Sequence, residues 1–208
     1  MTATPSRPFI AAMQVTLDGY ILGPDGEADW VDSWADGFDL LPEVDAFALG
    51  GGMFPEYEQF WSAILENPAA ASEWLGRDPY PREVTYARVA ANTPHLVLST
   101  TLTAAMWPTA RIIADINQLR ALKGVAGNAV YVVGGPGFVT SLINCGLLDE
   151  LRLIVHPVAV GSGTSLLGRV AQPQALELLK TEPGASGRVN LTYGLKAATA
   201  AAAAARAA

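Results

Sequence analysis

YVVGGPGFVTSLINCGLLDELRLIVHPVAVGSGTSLLG, residues 131–168, opens with a β-rich run that stops at Gly134-Gly135 and passes directly into a helix over residues 136–144. Backbone without a Cβ lets a phosphate or a ring approach closely, and the free N–H groups at a helix start favour an anion. The spacing points to a nucleotide-binding turn; a tight strand-to-helix turn without a ligand is the reading the segment alone leaves open. Downstream, Asp149-Glu150 precedes Leu151, Leu153 and Val155 alternating with Arg152, Ile154 and His156, then Pro157 and Gly161-Ser162-Gly163. That pattern is a strand leaving a helix hairpin.

Outward from this stretch, 208 residues that are 50% hydrophobic and 16% charged can bury one substantial core, and a single α/β domain is expected. The net charge of −7 argues against a nucleic-acid surface. The lone Cys145 has no internal disulfide partner, is expected to pack on the apolar face of a helix, and fits a reducing cytoplasm. No apolar stretch approaches the ~18 residues of a membrane span, and MTATPSRPFI lacks the apolar core of a signal peptide, so a cytosolic protein is expected. Residues 196–208 are almost all alanine and are excluded from the fold, whether they form a short helix or are a cloning scar.

Along the chain, strands are predicted at 9–15, 46–49, 95–98, 111–114, 129–133 and 151–158, with an antiparallel pair at 175–181 and 189–195 around the turn EPGASGR. A helix is predicted within 30–44 from Trp34, Phe38 and Leu41. Two more are predicted within 55–91, joined by GRDPYPRE. Asp115 with Gln118 has the spacing of a capping box for a helix reaching Leu122. Alternating β and α elements imply a mainly parallel sheet with helices on both faces. Ligands of such sheets bind at the carboxyl ends of the strands. That rule selects residues 16–20, Gly50, Gly51, Gly52 and Met53, then Ser99, Thr100 and Thr101, then Asp115, and then Val133, Gly134, Gly135, Pro136, Gly137 and Phe138.

The order GG, GLLDEL, then LRLIVHPVAVGSGTSLLG, with FIAAMQVTLDGYI at 9–21, resembles the dihydrofolate-reductase-like family. The branch is the one containing the riboflavin-pathway reductase domain and stand-alone reductases. The resemblance runs over residues 9–195 and implies a three-layer α/β fold with a C-terminal antiparallel pair. It also implies a reductase that passes a hydride from NADPH to a pterin- or pyrimidine-like heterocycle. The nicotinamide is expected near Thr16 and the L-D-G turn, the diphosphate over Gly134 and Gly135, joined in relatives by a cis peptide, and the adenosine end against 50–53 and 99–101. Relatives are often homodimers, and the strand beginning at Leu151 is a candidate interface.

Several positions depart from the family pattern. Relatives carry Gly-Arg-x-Thr and Ser-Arg sequences at the adenosine end, where this chain has Gly51 or Gly52 and Thr100. Glycine and threonine cannot replace the bidentate, charge-assisted bonds of a guanidinium to a 2′-phosphate. Three outcomes follow: NADH is used, Arg77 or Arg82 is borrowed, or the cofactor is a flavin or deazaflavin. Riboflavin-pathway relatives place a Glu where Val133 stands, which argues against their ribosylaminopyrimidine phosphate as substrate. Asp18 is the catalytic candidate, with a turn-forming role before Gly19 as its alternative, and Asp32, Asp36 and Asp39 are further candidate proton donors. His95 and His156 read as packed or hydrogen-bonded strand residues, and no metal-ligand set is evident. A binding protein that kept the fold and lost catalysis is the competing reading.

Overall fold

Short runs rich in Val, Ile, Phe and Ala, punctuated by glycine and proline, set the strands of this chain, whose computed structural model describes residues 7–37 and 39–195. The chain gathers into two compact units, named here for their place in the sequence. The mid-chain unit comprises Arg7 with Val31–Gly135, and the terminal unit comprises Pro8–Trp30 with the described part of Pro136–Ala208.

In the terminal unit, β1 (Phe9–Thr16) pairs in parallel with β7 (Glu150–His156), with Ile10 opposite Glu150 and Thr16 opposite His156. β7 then pairs antiparallel with β10 (Val189–Leu195), and β10 with β9 (Leu176–Pro183), which is the predicted C-terminal pair. A two-stranded ribbon of β2 (Tyr20–Leu22) and β8 (Thr164–Ser165) is too short to leave a sequence pattern. Helix α5 (Pro136–Asn144) has the predicted bounds; Pro136 at its first position costs no hydrogen bond. Cys145 lies just beyond α5 and is exposed, so it is not the packed thiol expected.

In the mid-chain unit, β3 (Val44–Gly50), β4 (His95–Leu98), β5 (Ala110–Ile113) and β6 (Ala129–Val132) run parallel in the order β5-β4-β3-β6. Between β3 and β4 come three helices rather than two: α1 (Phe54–Glu66), α2 (Pro68–Leu75) and α3 (Pro81–Asn92). Asn67 makes the extra break, because Pro68 disfavours helical backbone in the residue before it, and the Asn67 side chain accepts the Ala70 N–H and starts α2. α4 (Ile116–Leu122) is capped by the Asp115 carboxylate, which accepts the Asn117 N–H. The predicted capping box is half made: the Gln118 side-chain oxygen accepts from Arg111 instead of reaching back.

The helix predicted within 30–44 does not form; the described residues show turns and one 3-10 turn at Leu41–Glu43. The cause is local. The Ser33 hydroxyl accepts the Ala35 N–H, Asp36 N–H bonds back to Ser33 O, and Asp39 takes a positive φ of 52°. Short polar side chains thereby give the backbone an alternative to helix. Phe38 and residues 196–208 lie outside the described residues.

The mid-chain core is an aromatic cluster of Phe47, Phe54, Tyr57, Trp61, Tyr86 and Trp107 around His95. Trp61 and Trp107 are core residues, whereas Trp34 and Trp74 are exposed.

Candidate functional site

Parallel pairing brings the carboxyl ends of β3, β4, β5 and β6 to one edge of the mid-chain sheet. Gly51 N–H bonds to Leu98 O, Ser99 N–H to Ile113 O, and Val133 N–H to Ala48 O, so Gly51, Ser99 and the residues after Val133 are neighbours along that edge. The Ser99 hydroxyl accepts from the N–H groups of Thr101 and Leu102 and shapes the loop after β4. Asp115 stands just past β5. The selected residues of this unit, Gly50 to Met53, Ser99 to Thr101, Asp115 and Val133 to Gly135, therefore do share one edge.

The glycines divide by what demands them. A Cβ on Gly51 would collide with the Ser99 side chain, so close packing of β3 against β4 requires that glycine. At Gly52 and Gly135 a Cβ would meet nothing within 4 Å, and neither residue has a left-handed φ. Nothing in the fold requires a glycine at these two places, although glycine costs folding free energy through the freedom it adds to the unfolded chain. Both stand where a chain end opens into a helix. Met53, the residue before α1, gives no side-chain cap, so the first N–H groups of α1 lack side-chain acceptors from that position. The cis bond expected between Gly134 and Gly135 is absent: every described peptide is trans.

Arg77 and Arg82 already have carboxylate partners. Arg77 forks onto the Glu83 carboxylate with two 2.9 Å bonds and also bonds Asp32 O. Arg82 pairs with Asp32 at 2.6 Å and Asp36 at 2.9 Å. Both guanidiniums lie over the Tyr80 ring, at 3.6 and 4.3 Å from its centroid. Burial works against ionised Glu83, yet Arg77, the Tyr80 N–H and the Ser33 hydroxyl hold its carboxyl below the usual range. Asp32 and Asp36 are thus ion-pair partners and Asp39 is an exposed turn residue; none is the buried carboxylate of a proton-relay site.

In the terminal unit, buried Thr16 donates its hydroxyl to Asp18 at 2.6 Å and accepts the Tyr20 N–H. Asp18 also accepts from the N–H groups of Val160 and Gly161, at 3.1 and 2.7 Å, tying the end of β1 to the loop after β7. The Thr16 bond foremost, then that from Gly161, holds the Asp18 carboxyl below its ordinary range. An ionised acceptor with these donors suits the turn-forming role, and Gly19 beside it has a φ of +85°.

His156 is buried and hydrogen-bonded to Gln14. His95 Nδ1 faces Thr93 O at 2.8 Å; since a carbonyl only accepts, Nδ1 carries the proton and Nε2 is left without a partner.

The sequence reading missed Arg169. Its Nη1 lies 3.7 Å from where a Cβ would stand on Gly137, in the first turn of α5. Asn144 anchors this loop, donating to Arg169 O and accepting the Ala171 N–H. Unlike Arg152, which pairs with Glu150, Arg169 spends its guanidinium on no ion pair among the described residues. The signal was a lone arginine after the Gly161-Ser162-Gly163 loop, and sequence separation hid its proximity to α5.

The RibD C-terminal domain family model matches residues 8–189. The uncharacterized protein YyaP of Bacillus subtilis is 30% identical over 189 residues, covering 90% of this chain and 94% of its own. A putative riboflavin biosynthesis protein of Shewanella sp. PV-4 superposes with a TM-score of 0.64 at 20% identity, over 91% of this chain and 99% of its own. A dihydrofolate reductase of Enterococcus faecalis, solved with NADP(H), gives 0.55 at 16% identity, over 91% and 96%. The match over nearly the whole length, on a dihydrofolate-reductase-like α/β fold of mainly parallel strands with a C-terminal antiparallel pair, shows that this chain belongs to the RibD C-terminal domain family.

Proposed function

We propose that this protein is a reductase that uses a reduced nicotinamide dinucleotide to reduce a pterin- or pyrimidine-like heterocycle. The observation that carries the reading is the pair Gly52 and Gly135: two glycines at strand ends that backbone geometry and packing do not demand. A ligand lying against the backbone at those points supplies the missing reason. The bound dihydronicotinamide supplies the hydride.

The residues divide the work of binding. Gly50, Gly51, Gly52 and Met53, with Ser99, Thr100 and Thr101, receive the adenosine end. Val133, Gly134, Gly135, Pro136, Gly137 and Phe138 receive the diphosphate on backbone N–H groups at the start of α5, and Arg169 adds the cation that phosphate oxygens favour. Thr16 and Asp18 hold the turn after β1 that borders the nicotinamide. Ionised Asp18 positions that turn, and the proton that follows the hydride comes from water. Alignment of two rings, rather than a reactive side chain, is the protein's main contribution. Homodimerisation belongs to the same proposal. β7 has strand partners on both edges and offers only a face, so exposed Leu178 and Leu179 on β9 are the better contact.

The test is isothermal titration with NADH, NADPH, FMN and a deazaflavin, repeated on Gly135→Val. Nicotinamide binding lost in a variant that still unfolds cooperatively at the wild-type temperature supports the reading. Binding only of a flavin, or unchanged affinity in the variant, contradicts it.

A further inference from the structure

The mid-chain unit carries seven cationic side chains, Arg7, Arg77, Arg82, Arg88, Arg111, Arg120 and Lys123, and their placement bears on which dinucleotide the site accepts. Arg7 pairs with Asp45 near the start of β3, at the amino edge of the strands. Lys123 O accepts the Arg7 N–H, which puts the end of α4 at that same edge, with Arg120 one turn away. Arg88 lies about one turn from the end of α3, where the chain is delivered to the start of β4. Arg111 bonds to Gln118 of α4.

Arg77, in the loop before α3, and Arg82, in its first turn, belong to the carboxyl edge, where three carboxylates, Glu83, Asp32 and Asp36, already hold them; Arg111 reaches the same edge through Gln118 in the first turn of α4. The same edge adds Glu56 in the first turn of α1 and Asp115 after β5. Its balance is negative where the adenosine ribose is placed.

We infer that the adenosine subsite is built for a ribose with a free 2′-hydroxyl, so the dinucleotide is NADH and the determinants are Gly52, Thr100 and Glu56. The inference rests on the nicotinamide reading above. A 2′-phosphate brings nearly two negative charges and requires a guanidinium or ammonium partner, whereas a 2′-hydroxyl donates to a carboxylate or to the Ser99 and Thr101 hydroxyls. Position 51 cannot host the relatives' arginine, because any Cβ there meets Ser99; position 52 is open. Gly52→Arg therefore installs a cation without disturbing the packing of β3 on β4.

The experiment is fluorescence titration of the wild type, Gly52→Arg and Glu56→Gln with NADH and NADPH at one fixed salt concentration. The expected result is NADH bound at least tenfold more tightly than NADPH by the wild type. Gly52→Arg should shift that ratio at least tenfold toward NADPH, and Glu56→Gln should shift it in the same direction by a smaller factor. Tighter NADPH binding by the wild type overturns the inference and leaves the reductase reading standing. Failure of both dinucleotides to bind overturns the two together.

Discussion

Gly51 lies so close to Ser99 that a β-carbon on it would overlap the serine side chain, while Gly52, the next residue, faces open space. Two adjacent glycines therefore answer to different demands. Gly51→Ala is expected to destabilise the fold by about 1–3 kcal/mol, as overpacking does, because the short Ser99 side chain has no rotamer that removes its own Cβ. Gly52→Ala should leave stability unchanged or raise it by up to about 1 kcal/mol. Urea unfolding of the two variants checks the contrast; equal losses would contradict it.

Arg77 and Glu83 form the best-buried ion pair of the mid-chain unit, with side chains 25% and 1% exposed. Arg77→Ala strands a buried carboxylate and should cost about 3 kcal/mol. The double variant Arg77→Ala/Glu83→Gln should recover part of that loss. A double-mutant cycle with no coupling would show that the pair contributes nothing.

His95 gives the fold a distinctive acid response. Its ring stacks on Phe47 at 4.7 Å, and burial pushes its pKa down from 6.5 to about 4. A depressed histidine contributes stability that is fully present above pH 6.5 and is lost as the pH falls toward 4, because the unfolded chain takes up the proton first. The loss amounts to about 3 kcal/mol across that window. Glu83 and Asp18, also depressed, keep their contribution until the pH falls into the ordinary carboxylate range and lose it from there downward. Urea titrations at pH 7, 6 and 5 should show the slope, and His95→Phe should flatten it.

Arg169→Ala should weaken NADH and NADPH by the same factor, about tenfold, since the diphosphate is common to both and one charge-assisted hydrogen bond contributes roughly 1.5 kcal/mol. The melting temperature should not move. A loss confined to NADPH would place Arg169 on the 2′-phosphate instead.

Much of this architecture was legible because the signals were local. Strand alternation around Leu151, proline at the start of α5 and the glycines after β3 and β6 each act through neighbouring backbone. The segment from Trp30 to Leu41 misled because helical spacing of apolar residues was outweighed by the hydroxyl of Ser33 and the turn at Asp39. The pairing of Arg77 and Arg82 was hidden for a different reason: Asp32 is 45 and 50 residues away from them, and charges separated in sequence declare no partner. Arg169 escaped notice on the same ground, reaching Gly137 from a loop 32 residues on.

Hydrogen–deuterium exchange of the protein with and without saturating NADH, read by peptide, tests dinucleotide binding at these strand ends. Slower exchange is expected in three places: the peptides holding Gly51 to Tyr57, Ser99 to Leu102, and Gly134 to Phe138. Protection confined to other segments, or none at saturating dinucleotide, would contradict binding there.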